Sequence, residues 1–318
     1  MDRAVHTYKA RLMAKDYTQT PGIDYEKTFP TVVDIRSIRI LIAIVAFYDY
    51  VIWQMNIKTA FFSGYLSEEV YMEKPEGFIN PKYPNRACKL KSSIYGLKQA
   101  SRQLNKRFDD EIKKFSFTKN RDEPCVHLKA SESNVTFLIL YVDDILIMGN
   151  HIPMLQDVKS YLGRCFAMKD LGEAAYILRI KIYRDRSRRL IGASTPAELK
   201  HMKNVPDASA VGSIMYAMRC TRHDVAFAQN ITSQFQQNPG DLHWTTVKNI
   251  LKYLRITKDV FLVYGGDIKR ELRVSCYTDA GYLTDADDLK SQTEYVFVLN
   301  GGAVDWMSAK QSIFATHL

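Results

Sequence analysis

Two adjacent carboxylates, Asp143 and Asp144, interrupt the apolar run "FLILYVDDILIMG" over residues 137–149. Burying one unpaired ionised carboxylate is costly, and two side by side also repel each other unless positive charge or hydrogen-bond donors sit beside them. The β-branched and aromatic flanks predict strand, tight turn, strand, with both acids at the turn. A pair so placed suits divalent cations, because carboxylate oxygens are hard ligands for Mg²⁺ and its charge relieves the repulsion. Phosphoryl transfer commonly uses two such ions about 3.5 to 4 Å apart, and a third carboxylate from a neighbouring strand would complete the site. Asp-Asp in an exposed turn also has a purely local explanation, since both residues favour turn geometry.

The elements that must position this pair are legible from periodicity. "DIRSIRILIAIVAFYDY" offers Asp34 as an N-cap and an apolar run of helical length, which predicts a buried helix over about 35–48. "VIWQMNIKTAFFSG" predicts a strand running into a turn at Gly64. Leu104, Phe108, Ile112 and Phe115 form an apolar stripe on a helix over 100–115, and Leu155, Val158, Leu162 and Phe166 form another after Pro153. "YILRIKIYRD" alternates as a strand would. Beyond about 195 the pattern turns helical, and from Leu272 strands return, with Asn300-Gly301-Gly302 marking a hairpin. Irregular alternation of strands and helices predicts an α+β fold rather than a doubly wound sheet.

The chain has 318 residues, 46% hydrophobic and 25% charged, enough for two domains and a sizeable core. Its 44 Lys+Arg against 35 Asp+Glu give a net charge of +9, which suits a polyanionic partner. Residues 91–120 concentrate that charge, with Tyr and Phe interleaved, as either a solvated basic face or a phosphate-tracking surface. Five scattered cysteines without C-x-x-C spacing argue against a zinc site or a disulfide framework. The longest uncharged apolar stretches are too short to span a bilayer, and the start lacks a signal-peptide apolar region. An intracellular protein without membrane contact is expected.

"YVDDILIMGN" resembles the catalytic hairpin of reverse transcriptases. "YKARLMAKDYTQTPGIDYEKTF", "WQMNIKTAFFSGYLSEEVYMEKPEGF", "CKLKSSIYGLKQASRQLNKRF" and "FAMKDLGEAAYIL" resemble the copia-type LTR retrotransposon polymerase in particular. "ASAVGSIMYAMRCTRHDVAFAQ", "HWTTVKNILKYLR" and "CYTDAGYLTDADDLKSQTEYVFVLNGGAVDWMSAKQS" resemble the connection and the start of RNase H in the same polyprotein. The resemblance implies palm and fingers of a right-hand polymerase over 1–192, a helical connection over 193–265 and a truncated RNase H-like α/β segment over 266–318. It implies an RNA-directed DNA polymerase with two Mg²⁺ ions, an RNA template, a DNA primer and deoxynucleoside triphosphates, located in the cytoplasm.

Carried over by position, the resemblance makes Asp143 and Asp144 the metal-binding pair, and Phe61 the aromatic gate that excludes a ribose 2′-hydroxyl. Lys9, Arg11 and Lys15 match basic residues of the fingers that meet the triphosphate; by spacing alone they would form an exposed β-hairpin face. Lys98 and Gln99 in "YGLKQA" match the segment that positions template and nucleotide, and Asp279 matches the first acid of RNase H. Departures accompany the matches. Asn56 stands where the family has the third palm Asp, so the implied polymerase is expected to be weak or inactive. A helical thumb segment of the family looks deleted after Gly192. Leu104 replaces a Trp, His223 a Pro and Glu294 a Gly. A degenerate remnant that at most binds nucleic acid is the competing expectation.

Overall fold

A computed structural model describes residues 12–28, 32–75, 77–177, 180–187, 190–194, 207–234, 241–265, 271–281 and 290–312. The architecture is α+β, arranged as two compact units. One comprises the chain up to Val33 together with Ile52–Gly172, and the other Asp34–Val51 together with the chain from Glu173 onward. Among the described residues no helix is long and apolar enough to cross a membrane.

The first unit is organised by a six-stranded sheet in the order β4-β5-β6-β7-β1-β8. Its strands are β1 (Val51–Ile57), β4 (Thr118–Lys119), β5 (Val126–Ser131), β6 (Asn134–Tyr141), β7 (Asp144–Gly149) and β8 (Met168–Glu173). A two-stranded ribbon, β2 (Tyr71–Met72) with β3 (Cys88–Lys89), stands outside it. In β6 and β7 the consecutive residues Leu138, Ile139 and Leu140, then Ile145, Leu146, Ile147 and Met148, are all buried. Burial without alternation means that both faces of the hairpin are covered. Helix α2 (Ala100–Lys114) buries Leu104, Phe108 and Ile112 of its predicted stripe, whereas Phe115, at its C-cap, is half-buried; α3 (Ile152–Cys165) buries Leu155, Val158 and Leu162. Pro153 lies in the first turn of α3, where its missing N–H costs nothing, and His151 Nδ1 accepts from the Met154 N–H.

A buried polar pair joins α2 to β5. His127, fully buried, holds its Nε2 3.1 Å from Asp109 Oδ1, and Asp109 also accepts from Lys113 Nζ at 2.7 Å. An ionised carboxylate can only accept, so Nε2 carries the proton and Nδ1 is left as a buried acceptor with no partner among the described residues. Burial pushes the imidazole below its ordinary value and outweighs the attraction of Asp109. Burial would raise Asp109, but hydrogen bonds from Lys113 and His127 and the charges of Lys119 and Lys113 hold it below the usual carboxylate range.

The second unit holds α1 (Ile35–Tyr48), α4 (Asp207–Cys220), α5 (Ala226–Gln234) and α6 (Asp241–Ile256) with two sheets. One sheet runs β12-β11-β10-β9 and the other β13-β14-β15. Their strands are β9 (Tyr176–Ile177), β10 (Ile180–Asp185), β11 (Leu190–Ser194), β12 (Leu262–Tyr264), β13 (Val274–Gly281), β14 (Gln292–Leu299) and β15 (Gly302–Lys310). The single strand expected over "YILRIKIYRD" is two: β9 and β10 pair antiparallel, with Lys181 opposite Tyr176, so the alternation belongs to a hairpin. Helix α1 starts where predicted, with the Asp34 carboxylate accepting from the Arg36 N–H, and the hairpin at Asn300-Gly301 is present. Ala210, Val211, Ile214, Val247, Ile250 and Leu254 pack α4 against α6.

Arg39 of α1 ties this unit together. Its buried guanidinium donates to the carbonyls of Arg219 and Cys220 at the end of α4 and to Val304 of β15, and lies 3.8 Å from the Trp306 ring centroid. Trp306 Nε1 donates to the Met218 carbonyl, so three carbonyls of the last turn of α4 receive side-chain donors. A cation at a helix C-terminus also meets the negative end of the dipole.

Two outcomes are expected from these pairs. Arg39→Ala should lower the unfolding free energy in urea by roughly 2–4 kcal/mol, because several buried acceptors lose their donor. Both groups of the His127–Asp109 pair have folded pKa values below their unfolded ones, so their stabilisation is present at neutral pH and lost on acidification. His127 loses its share as pH falls below about 6.5, and Asp109 as pH falls through the carboxylate range. Urea titrations between pH 7 and 5 should show falling stability, with a shallower slope in His127→Leu.

Candidate active site

Strand β1 lies beside β7, and this adjacency assembles the site. The Ile57 N–H donates to the Asp143 carbonyl at 2.7 Å, and Asn56 Nδ2 donates to Asp144 Oδ1 at 3.1 Å. The register pairs Tyr141 with Asp144, so the turn consists of Val142 and Asp143 alone, while Asp144 begins β7. Both acids were expected in the turn; the two-residue loop has room for one. Val142 sits at φ 54°, a left-handed conformation that a β-branched side chain tolerates poorly. Such strain persists where the surroundings over-determine it, here by the ladder of buried residues on either side.

Lys159 of α3 braces β1, the strand that carries Asn56, and its neighbour β8. Its buried ammonium lies 4.4 Å from the Trp53 ring centroid of β1 and pairs with Asp170 of β8. Burial would raise Asp170, but the hydrogen bonds from Lys159 and the Gly172 N–H hold it below its ordinary value. Sequence reasoning missed Lys159 and Trp53, since a lysine on a helical stripe edge gives no signal of what it will cover. The Lys58 N–H also donates to the Ala167 carbonyl, fastening β1 next to β8.

The donor set can be compared with a divalent site. Asp143 and Asp144 supply hard oxygens, but the third position directs an amide N–H at Asp144, a positive dipole end where a cation would need a ligand. Among the described residues no group of three His, Cys, Asp or Glu side chains is arranged to hold a metal. The residues therefore do not fit a two-ion site.

Phe61 lies in a 3₁₀ turn, Ala60–Ser63, that follows β1, and meets Tyr95 edge-on with centroids 4.9 Å apart. Behind it are Val70, Ile94, Leu97 and Ala100. The segment of residues 12–28 docks onto "YGLKQA". The Ala14 N–H donates to the Tyr95 carbonyl, and Gly96, at φ 88°, lies so close to Ala14 that any Cβ would strike its carbonyl oxygen. Gln99, fully buried, accepts from Gln19 Nε2 and donates to the Asp24 carbonyl; the Lys98 N–H donates to Gln19 Oε1, and Lys98 Nζ reaches the Tyr25 hydroxyl at 3.4 Å.

Lys15 is exposed at the start of a 3₁₀ turn, Asp16–Thr18, rather than on the β-hairpin face expected from spacing. It lines an open groove of about 630 Å³ with Gln19, Asp24, Glu73 and Lys74. Lys9 and Arg11 lie outside the described residues. Asp279 belongs to the second unit, exposed on β13 opposite Glu294, which accepts from the Ser308 hydroxyl. The structure thus makes two groupings: Asn56 with Asp143 and Asp144, and Lys98 and Gln99 with the docked segment. Gln99→Leu should release that segment, read as faster proteolytic cleavage within residues 12–28 while cleavage elsewhere is unchanged.

Residues 1–193 match the family model described as reverse transcriptase (RNA-dependent DNA polymerase). The chain is 40% identical to the retrovirus-related Pol polyprotein from transposon TNT 1-94 of Nicotiana tabacum, over 97% of this chain and 26% of the relative. It is 32% identical to that from transposon RE2 of Arabidopsis thaliana, over 98% of this chain and 23% of the relative. A putative transposon Ty5-1 protein of Saccharomyces cerevisiae is 25% identical over 80% of this chain and 92% of its own length. The chain therefore spans about a quarter of the length of the two plant polyproteins. With the paired carboxylates on a buried hairpin beside β1, these matches establish that the chain belongs to the reverse transcriptase family, in the form carried by copia-type transposon Pol polyproteins.

Proposed function

We propose that this chain is the RNA-directed DNA polymerase part of a copia-type Pol polyprotein, acting on an RNA template, a DNA primer and deoxynucleoside triphosphates, and that its catalytic step is impaired at Asn56. The observation that carries the proposal is the placement of Asp143 and Asp144 next to β1, with an amide at the third position. Residues 1–192 form palm and fingers, 193–265 the connection and 266–318 an RNase H-like segment with Asp279 as its first acid; the location is cytoplasmic. In this reading a thumb segment is missing after Gly192; the alignment with the tobacco polyprotein extends over 346 positions, more than the 318 residues of this chain, as a segment present in the relative and absent here requires.

Each residue has a task in this reading. Phe61, held edge-on by Tyr95, presents bulk toward the sugar and favours a deoxynucleotide. Lys15, with Lys9 and Arg11, neutralises the triphosphate, and Lys98 and Gln99 fix the surface on which template and nucleotide lie. Mg²⁺ bound by a complete carboxylate set would activate the primer hydroxyl and stabilise the leaving pyrophosphate. Here the set is one negative charge short. A second reading, a nucleic-acid-binding module without catalysis, is favoured by the Asn56 amide that already occupies an oxygen of Asp144.

Primer extension on poly(rA)/oligo(dT) compares the two. The unaltered chain should extend primer at least ~10²-fold more slowly than Asn56→Asp, the scale of losing one preorganised electrostatic group. Equal rates would refute the impairment. An inert Asn56→Asp protein that still binds RNA with a clear salt slope would favour the binding module.

A further inference from the structure

We infer that the Asn56 carboxamide has taken over from a divalent cation as the partner of Asp144, so that this hairpin holds its conformation without metal. The inference rests on the proposed placement of the polymerase site and extends it to what stabilises the site in this chain. Its geometric basis is the 3.1 Å contact between Asn56 Nδ2 and Asp144 Oδ1. An ionised carboxylate only accepts hydrogen bonds, so the amide must turn its NH₂ toward Asp144 and its carbonyl oxygen away. The donor is set on β1, whose Ile57 N–H already grips the Asp143 carbonyl, and Trp53 of the same strand is covered by Lys159. The amide is thus held in place by the strand, not by the ligand.

Three carboxylates at these positions would repel one another until a cation arrived, which couples the folding of such a site to metal. Two carboxylates, one already hydrogen-bonded to a fixed donor, lack that coupling. To bind a cation, the amide would have to break its hydrogen bond, rotate and offer a single neutral oxygen. Divalent affinity and conformational stability are therefore exchanged at one residue.

The test uses the full chain and reads metal binding and melting rather than turnover. In EDTA the unaltered chain should melt several degrees above Asn56→Asp, and addition of 10 mM Mg²⁺ should raise Asn56→Asp by several degrees while moving the unaltered chain by less than about 1 °C. Asn56→Ala should melt below the unaltered chain and remain insensitive to Mg²⁺. Equal Mg²⁺ shifts in the unaltered chain and Asn56→Asp would overturn the inference. Mn²⁺ binding to the unaltered chain, followed by electron paramagnetic resonance, provides a second measurement that does not depend on the folding of Asn56→Asp. Affinity weaker than millimolar is expected, and submillimolar binding abolished by Asp144→Asn would overturn it. A metal-binding Asn56→Asp protein unable to extend primer would count against the polymerase reading while leaving this inference intact.

Discussion

Charge at the end of a buried hairpin is the constraint on which the first unit depends. The strands leading to and from Asp143 and Asp144 are covered on both faces, so the two acids cannot be moved into water by a change of register without exposing Leu138, Leu140, Ile145 and Ile147. The carboxylates are therefore fixed at the tip. The neighbouring strand β1 meets one of them, with the Asn56 amide toward the Asp144 carboxylate, and its Ile57 N–H fastens the main-chain carbonyl of Asp143. Lys159 then fastens β1 and β8 through Trp53 and Asp170, which keeps the answering strand in position.

The second unit meets a comparable demand with a cation. The guanidinium of Arg39 is buried, yet it faces carbonyls that a helix end and a strand leave open, so its donors are used without a carboxylate. Removing a buried charge's partners is expensive, whereas a charge that serves several fixed acceptors organises them. The departures from the family's usual residues are absorbed with less consequence. Leu104 is buried in the stripe of α2, Glu294 finds the Ser308 hydroxyl, and His223 tilts against Trp306, with burial pushing its imidazole below the ordinary value. Of these four residues, Asn56 is the one that meets a carboxylate of the Asp143-Asp144 hairpin.

Much of this was legible in the chain itself. The apolar stripes of α2 and α3, the cap at Asp34 and the Asp143-Asp144 hairpin follow from local spacing, because helix and strand periods are written in neighbouring residues, while the place among reverse transcriptases came from the resemblance of whole motifs. Local spacing misled where pairing decides the outcome. "YILRIKIYRD" reads as one strand because a hairpin of two short strands keeps the same alternation, and Lys15 reads as a hairpin residue because a 3₁₀ turn leaves no period of its own.

Sequence determined that residue 56 is an amide and not a carboxylate, since its identity is a covalent fact. Only the tertiary structure decided what Asn56 does instead. Its partner Asp144 is 88 residues away along the chain, and no periodicity relates the two. Their contact exists because hydrophobic burial sets β1 beside β7, and because an acceptor-only carboxylate can be met by an amide in one orientation alone.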